Sequence, residues 1–377
     1  MEGGIRASGG AICPNKTKWF LIDYVWKRNK FVYRSIEDMP GNISIPNQEG
    51  NMMTIQREEP SSVNESLGIQ LTLTGNQSKQ KEVLKEKSEV FATQIRTRKC
   101  DNTTALWTFT NSFYPSMMYP MVATYFSEDD WNEIMRPALR ATLSSAGMAK
   151  NFPRSIFFGP EKYQGLDVYH PYFLQEIIHL QTLFQESLRN SQTGRLLRAN
   201  AEAFQIEIGI PFSISNTKYD IKTFTYYTPN GFYKSMWKFC SNDKHGIKIK
   251  EDFQDLPLLR KNDVPLMIVF AKTFKNSSLE TLNFVRKHLK AYSLADITTI
   301  NGKFISHLAF TAVESNGFRS VTWPRTPELS NNMIFLWQQA IKSCFLNQYS
   351  NSQKLLTQHQ LGTWTKKYNG TTGDAPP

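Results

Sequence analysis

Metal-assisted phosphoryl transfer, thiol chemistry and zinc binding each need particular side chains at particular spacings, and this chain offers few of them. Asp129-Asp130 is its one adjacent pair of aspartates. Paired carboxylates can hold two divalent cations that clamp the attacking and leaving oxygens of a phosphoryl transfer. Here the pair follows Ser127-Glu128, and Ser127 with Asp130 three residues on resembles a capping box. Helix capping and compensation of the helix dipole are therefore the expected roles. Cys13, Cys100, Cys240 and Cys344 are too far apart for a Cys-x-x-Cys pair, and the six histidines are scattered. No zinc-ligand spacing results. What remains is basic. Lys150, Arg154 and Lys162 fall in a stretch rich in Gly and Pro, residues 144–167. Backbone nitrogens there are free to join cationic side chains around phosphates, contacts that position nucleic acid without reading its sequence.

The elements that must carry these groups follow from periodicity. Between Trp19 and Trp26 the chain is aromatic and β-branched, and Arg28-Asn29 makes a turn into Phe31-Val-Tyr33. Pro40-Gly41, Pro46-Asn47 and Glu49-Gly50 punctuate short strands at 42–45 and 52–56. The alternation in 66–73 predicts a half-buried strand, in which Gly68 permits either a positive φ or a close backbone approach. After Gly75 the period changes. Leu84, Ser88, Phe91 and Ile95 predict an amphipathic helix over 79–96. Its outer face bears Lys79, Lys81, Lys85, Lys87 and Arg96, with Arg98 and Lys99 beyond. These cations either track a phosphate backbone or form a solvated face laced to Glu82, Glu86 and Glu89. A second helix runs from Asp101 through Phe113 to Pro115 or Pro120, and a third from Ser127 with Pro137 kinking it. Trp107, Phe109, Phe113 and Tyr114 could stack bases, but their helical spacing favours core packing. Further helices are predicted at 171–189, 194–208, 279–292 and 332–345. Residues 211–278 read as irregular, and everything after Leu346 as a polar, disordered tail.

The chain has 377 residues and a formal charge of +11, from 44 basic and 33 acidic side chains. Such a surplus favours polyanions, nucleic acid before anionic membranes. The longest apolar runs fall far short of the ~20 residues of a membrane span. The first ten residues lack the apolar stretch of a secretory signal. A soluble, intracellular protein, nuclear or cytoplasmic, is expected, with no membrane partner.

Residues 3–26, a Gly-rich start, then Lys16-Thr17 and an aromatic strand, resemble motif D of the reverse transcriptases of retrotransposons of the non-LTR kind. Ser66-Leu-Gly-Ile-Gln-Leu71 resembles motif E, the primer-grip hairpin. Residues 151–166, 292–299 and 336–346 resemble blocks that follow the polymerase core in such proteins. The resemblance extends to about Trp364.

It implies an α+β, helix-rich fold with a small antiparallel sheet at the N-terminus. Residues 1–74 would be the end of a palm, 75–165 a helical thumb, 166–346 a post-thumb helical region and 347–377 the tail. It also implies an RNA-directed DNA polymerase whose metal-binding carboxylates, in motifs A and C, lie upstream of this chain. Catalysis is then expected of none of its residues, and Mg²⁺ only of the intact polymerase. Lys16 would donate a proton to departing pyrophosphate in an intact enzyme, or is a solvated lysine beside Lys18. Leu67, Gly68 and Ile69 would form the turn that supports the primer's 3′ end, or an ordinary strand with a bulge glycine. Lys85, Arg98, Lys150, Arg154 and Lys162 would meet phosphates. The implied partners are RNA, DNA or hybrid duplex, and the missing palm and fingers. A domesticated nucleic-acid-binding scaffold derived from a retroelement, or an unrelated basic enzyme, are the other readings.

Overall fold

Helices built on the predicted apolar faces dominate the computed structural model. It describes residues 17–27, 30–46, 50–189, 191–211, 221–228, 230–242, 245, 258–313, 328–346 and 353–364. The fold is α+β and helix-rich, with small sheets near the N-terminus. Two compact units divide the chain, Met1–Gln175 and Glu176–Pro377. The division falls inside a helix, past the 165/166 boundary that the sequence suggested, and the expected palm-like and thumb-like segments share unit 1.

Unit 1 opens with short strands: β1 (Lys18–Trp19), β2 (Tyr24–Lys27), β3 (Lys30–Tyr33), β4 (Ile43–Pro46), β5 (Met52–Arg57), β6 (Asn64–Ser66) and β7 (Ile69–Leu71). They form three separate sheets, β1-β5-β4, β2-β3 and β6-β7. The pairings are antiparallel except β1 against β5, which is parallel, with Trp19 opposite Arg57. The run 19–26 is thus split between two sheets instead of forming one strand, because Trp19 pairs with Arg57 and Tyr24 with Tyr33. Among the described residues before Gly75 only Ile55 and Pro60 are buried, so this region contributes little core.

The core of unit 1 lies in its helices. In α1 (Ser78–Thr97) the buried residues are Gln80, Leu84, Ser88, Phe91, Ala92 and Ile95, the face that the 3.6-residue period predicts. A continuous helical run follows: α2 (Asn102–Thr108), a π turn (Phe109–Phe113), α3 (Tyr114–Met118) and a 3₁₀ turn (Tyr119–Ala123). Neither Pro115 nor Pro120 stops it: each lies at the start of a segment where the helix type changes, from π to α and from α to 3₁₀. Phe113 stacks on Phe91 with centroids 4.3 Å apart, and Phe109 meets Phe157 edge-on at 5.6 Å. Phe109, Phe113 and Tyr114 are core residues, whereas Trp107 is 63% exposed.

Helix α4 (Glu128–Ser145) packs along α1. Its start is the capping box read from the sequence: Ser127 accepts from the Asp130 N–H, and the Asp130 carboxylate accepts from the Ser127 N–H. Pro137 lies within the helix, and the next N–H, of Ala138, donates to the buried Ser88 hydroxyl at 3.2 Å. A polar group thus sits in the apolar face of α1 at a place where a proline disturbs the ladder of α4. The stretch 144–167, expected as loop, contains α5 (Arg154–Phe157) and a 3₁₀ turn at Glu161–Tyr163. Gln175, in the first turns of α6 (Pro171–Leu188), accepts from Trp131 Nε1 at 3.0 Å and donates to the Phe126 carbonyl at 3.0 Å.

Unit 2 includes α7 (Gln192–Ile208), α8 (Ile221–Phe224), α9 (Phe232–Cys240), α10 (Leu266–Phe270), α11 (Asn276–His288), α12 (Leu294–Ile297), α13 (His307–Phe310) and α14 (Asn331–Phe345). Three of these, α8 to α10, lie where the sequence read as irregular. They are short and dense in buried aromatic and apolar side chains, too brief for a period to show. Arg286 is fully buried, and its guanidinium donates to the Ile206 and Glu207 carbonyls at 2.7 and 2.8 Å, closing the C-terminus of α7. The expectation of a disordered tail is corrected for 353–364. Lys354 and Leu355 bridge to Phe304 and Leu346, Trp364 bridges to Arg260, and Leu355 and Leu361 are buried. The apolar residues of this stretch are isolated in sequence, and only the surface they meet gives them a core. Residues 347–352 and 365–377 lie outside the described residues.

Candidate functional site

The basic groups of unit 1 divide by what holds them. On α1, Lys81 donates to Asp130 at 2.6 Å and pairs with Glu133 at 2.7 Å, while Lys85 pairs with Glu133 at 2.9 Å. These partners are on α4, so the lacing of Lys81 and Lys85 runs between helices, while Lys79 pairs with Glu82 along α1 at 3.0 Å, as the sequence suggested. Hydrogen bonds from Lys81 and then Lys85 pull the Glu133 carboxyl down from an ordinary 4.5 to about 2. Partial burial works against Asp130, but Lys81 and Ser127 still hold its carboxyl below the usual range. Lys85 is thus committed to joining α1 and α4.

The second group converges. A cavity of about 790 Å³ in unit 1 is lined by Arg96 from α1, by Asn132, Arg136, Leu139, Arg140 and Ser144 from α4, and by Lys150, Asn151 and Arg154 beyond it. Five cations meet there, and no carboxylate lines the wall. Among the described residues none of the five forms an ion pair. Asn132, Arg136, Arg140 and Ser144 recur every fourth residue, so they share one face of α4 in rungs about 6 Å apart.

Arg154 is the most constrained of the five. Three residues on, Phe157 is fully buried against Phe109 and anchors α5 to the core. The chain then folds back: Leu166 N–H donates to the Ile156 carbonyl at 3.2 Å and Asp167 N–H to the Gly159 carbonyl at 2.9 Å. Gly159 and Gly165 touch backbone to backbone, and a Cβ on Gly165 would fall 1.9 Å from the Gly159 oxygen. This loop therefore requires glycine at 165. Within it the Arg154 Nη1 is buried with no hydrogen-bond partner. Burial, and then the charge of Arg140, lower the proton affinity of its guanidinium below the ordinary arginine value. An arginine so placed stays charged.

Asn132 is set by a neighbour. His170 lies 3.4 Å from the Asn132 Oδ1 through Nε2, and its Nδ1 accepts from the Tyr172 N–H at 3.3 Å. Nδ1 being the acceptor, the proton sits on Nε2, and Asn132 receives it on oxygen. Burial pushes the His170 pKa down to about 4, so the ring is neutral at ordinary pH. The Asn132 amide nitrogen is left to donate. Cations and donors gathered around one half-open hollow make an anion site.

Of the residues expected to meet phosphates, the structure brings Lys150 and Arg154 together at this cavity. Lys85 is paired with Glu133, and Lys162 lies over the Tyr163 ring at 4.8 Å. Arg98 caps the end of α1, and neither it nor Lys162 lines the cavity. Arg136 and Arg140 went unnoticed in the sequence, although their spacing with Asn132 and Ser144 was there to find. Leu67, Gly68 and Ile69 are the tip of the β6–β7 hairpin and the start of β7, not the middle of a strand. Leu67 and Gly68 form its two-residue turn with φ of 51° and 79°. Leu67 is 84% exposed at that tip. Lys16 lies outside the described residues. Asp130 is occupied by the cap of α4 and by Lys81. Among the described residues no three or more His, Cys, Asp or Glu side chains gather as a metal site. No helix among them is long and apolar enough to cross a membrane. Compared with known protein families, curated proteins and solved structures, the chain finds no match.

Proposed function

We propose that this chain holds nucleic acid by its phosphates without reacting with it, as the thumb-bearing, C-terminal part of a retroelement reverse transcriptase. The carrying observation is the cavity of unit 1, where five cations converge with no carboxylate on the wall. The order of the motif-like segments, D-like, E-like and then the downstream blocks, supports the same reading, as does the net charge of +11. In such an enzyme this surface would help to hold template and primer, the exposed Leu67-Gly68 turn would approach the primer, and the catalytic carboxylates and their Mg²⁺ would belong to motifs A and C of its palm. A domesticated binding protein of the same origin would use the same cavity.

Salt dependence tests it. Four contacted duplex phosphates give a slope of about −3.6 in log K against log salt, so affinity falls roughly a hundredfold between 50 and 200 mM. Replacing Arg136, Arg140, Lys150 and Arg154 by Ala should flatten that slope by up to about 3.6 units, with little dependence on base sequence. In the same preparation, template-directed dNTP incorporation with Mg²⁺ or Mn²⁺ should stay at the no-protein level. A parent chain whose binding ignores salt, or one that extends a primer, would overturn the proposal.

A further inference from the structure

Five cations line this one cavity, with no carboxylate among them. A continuous phosphodiester backbone carries one negative charge per phosphate and is best met by cations strung along a surface. Here the cations that could extend such a track are engaged or lie elsewhere: Lys85 pairs with Glu133, and Lys162 sits over Tyr163 outside the wall. Those that remain line one half-open hollow. Arg140 and Arg154 act on each other as like charges with no counter-ion between them, and the buried Arg154 Nη1 has a hydrogen to donate and no acceptor. Asn132, oriented by His170, adds an amide donor. Leu139 is the wall's one apolar residue, and no aromatic ring lines it, so a base has nothing to stack on.

We propose that this cavity is a socket for a terminal phosphate, a phosphomonoester or pyrophosphate group ending a nucleic-acid strand, and not a track for its internal diesters. The inference rests on the phosphate-binding reading above and narrows it. A monoester carries about −1.5 to −2 charges at pH 7 and three acceptor oxygens, which suits forked guanidiniums from two elements. Its second ionisation, near pH 6, gives the site a signature that a diester lacks.

The test compares one labelled oligonucleotide bearing a 5′-phosphate, a 3′-phosphate or hydroxyls at both ends, with inorganic pyrophosphate as competitor. A phosphorylated end should bind the full chain roughly tenfold more tightly at pH 7.5, with the preference shrinking towards pH 5 as the monoester takes up its second proton. Pyrophosphate should displace the phosphorylated oligonucleotide. Arg140→Gln, at an exposed position, and Arg154→Gln should each abolish the preference. Lys303→Gln, which removes the same charge from unit 2, should keep it. Equal binding of all three ends with full salt dependence would overturn the socket and leave the nucleic-acid reading standing. Binding of pyrophosphate with no binding of any oligonucleotide would overturn the nucleic-acid reading and, with it, a strand end as the occupant of the socket. Binding of neither would end both.

Discussion

At the scale of single residues, Arg154 and Gly165 show how a cation is held where it is least comfortable. A guanidinium with a buried, unpartnered N–H beside a second arginine costs stability in the free protein. Such strain is tolerated where the surroundings enforce it, and here they do so through Phe157 in the core and the Gly159–Gly165 contact. Gly165→Ala should therefore act at a distance. Its Cβ cannot coexist with the Gly159 carbonyl, so the loop must open and release Arg154 from the cavity wall. We expect affinity for phosphates to fall about as far as in an Arg154 variant. The helical core should lose no more than about 1–2 kcal/mol, because the loop lies outside α1 and α4. Binding and chemical denaturation of the same variant check both halves. Unchanged affinity would show that the loop does not position Arg154.

At the scale of elements, the α1–α4 pair joins two kinds of contact. Its inner faces are apolar, with Ile134 and Trp131 fully buried, and its rim is closed by Lys81, Lys85, Asp130 and Glu133. Glu133 has a folded pKa of about 2 against an ordinary 4.5. A carboxyl whose pKa is depressed on folding adds stability above its unfolded pKa and loses it as pH falls through the folded one. The contribution of this rim should thus be complete near pH 5 and fade towards about pH 2. Glu133→Gln should weaken unit 1 slightly at pH 7 and flatten its stability profile across that window, as followed by urea unfolding at stepped pH. A variant with the parent's slope would place the acid sensitivity elsewhere. The rim is partly exposed, so the effect is small and screened by salt.

At the scale of the whole molecule, residues 353–364 are part of the structure of unit 2. Arg260 donates to the Gly362 and Ile300 carbonyls at 2.8 and 2.7 Å and lies 4.9 Å from the centre of the Trp364 ring. Gly302, at φ 66°, passes so near that a Cβ would sit 2.8 Å from Leu361. Ending the chain at Leu346 would strip Leu355 and Leu361 from the core and leave the Arg260 guanidinium with fewer acceptors. Two buried leucines and one orphaned charged donor amount to about 3 kcal/mol or more. Amide exchange in α14 should accelerate accordingly in the truncated chain. Exchange at the parent's rate would mean that 353–364 only decorate the surface.

Periodicity alone determined the long helices, because an amphipathic face is written in residues three and four apart: Leu84, Ser88, Phe91 and Ile95 are all buried on α1. Local chemistry determined the cap at Ser127, since a capping box needs only four consecutive residues. Composition determined that the chain carries surplus positive charge. None of these says where charges meet. Whether Lys85 faces a phosphate or Glu133 depends on α4 lying against α1, and Arg96, Arg140 and Arg154 become one site only when helices distant in sequence converge. The same holds for the short helices α8 to α10, too brief to show a period, and for residues 353–364, whose apolar side chains are too sparse to show one; both find burial only against surfaces supplied by the rest of unit 2. Coulombic and apolar contacts act through space, and the tertiary structure alone decides which groups that space brings together.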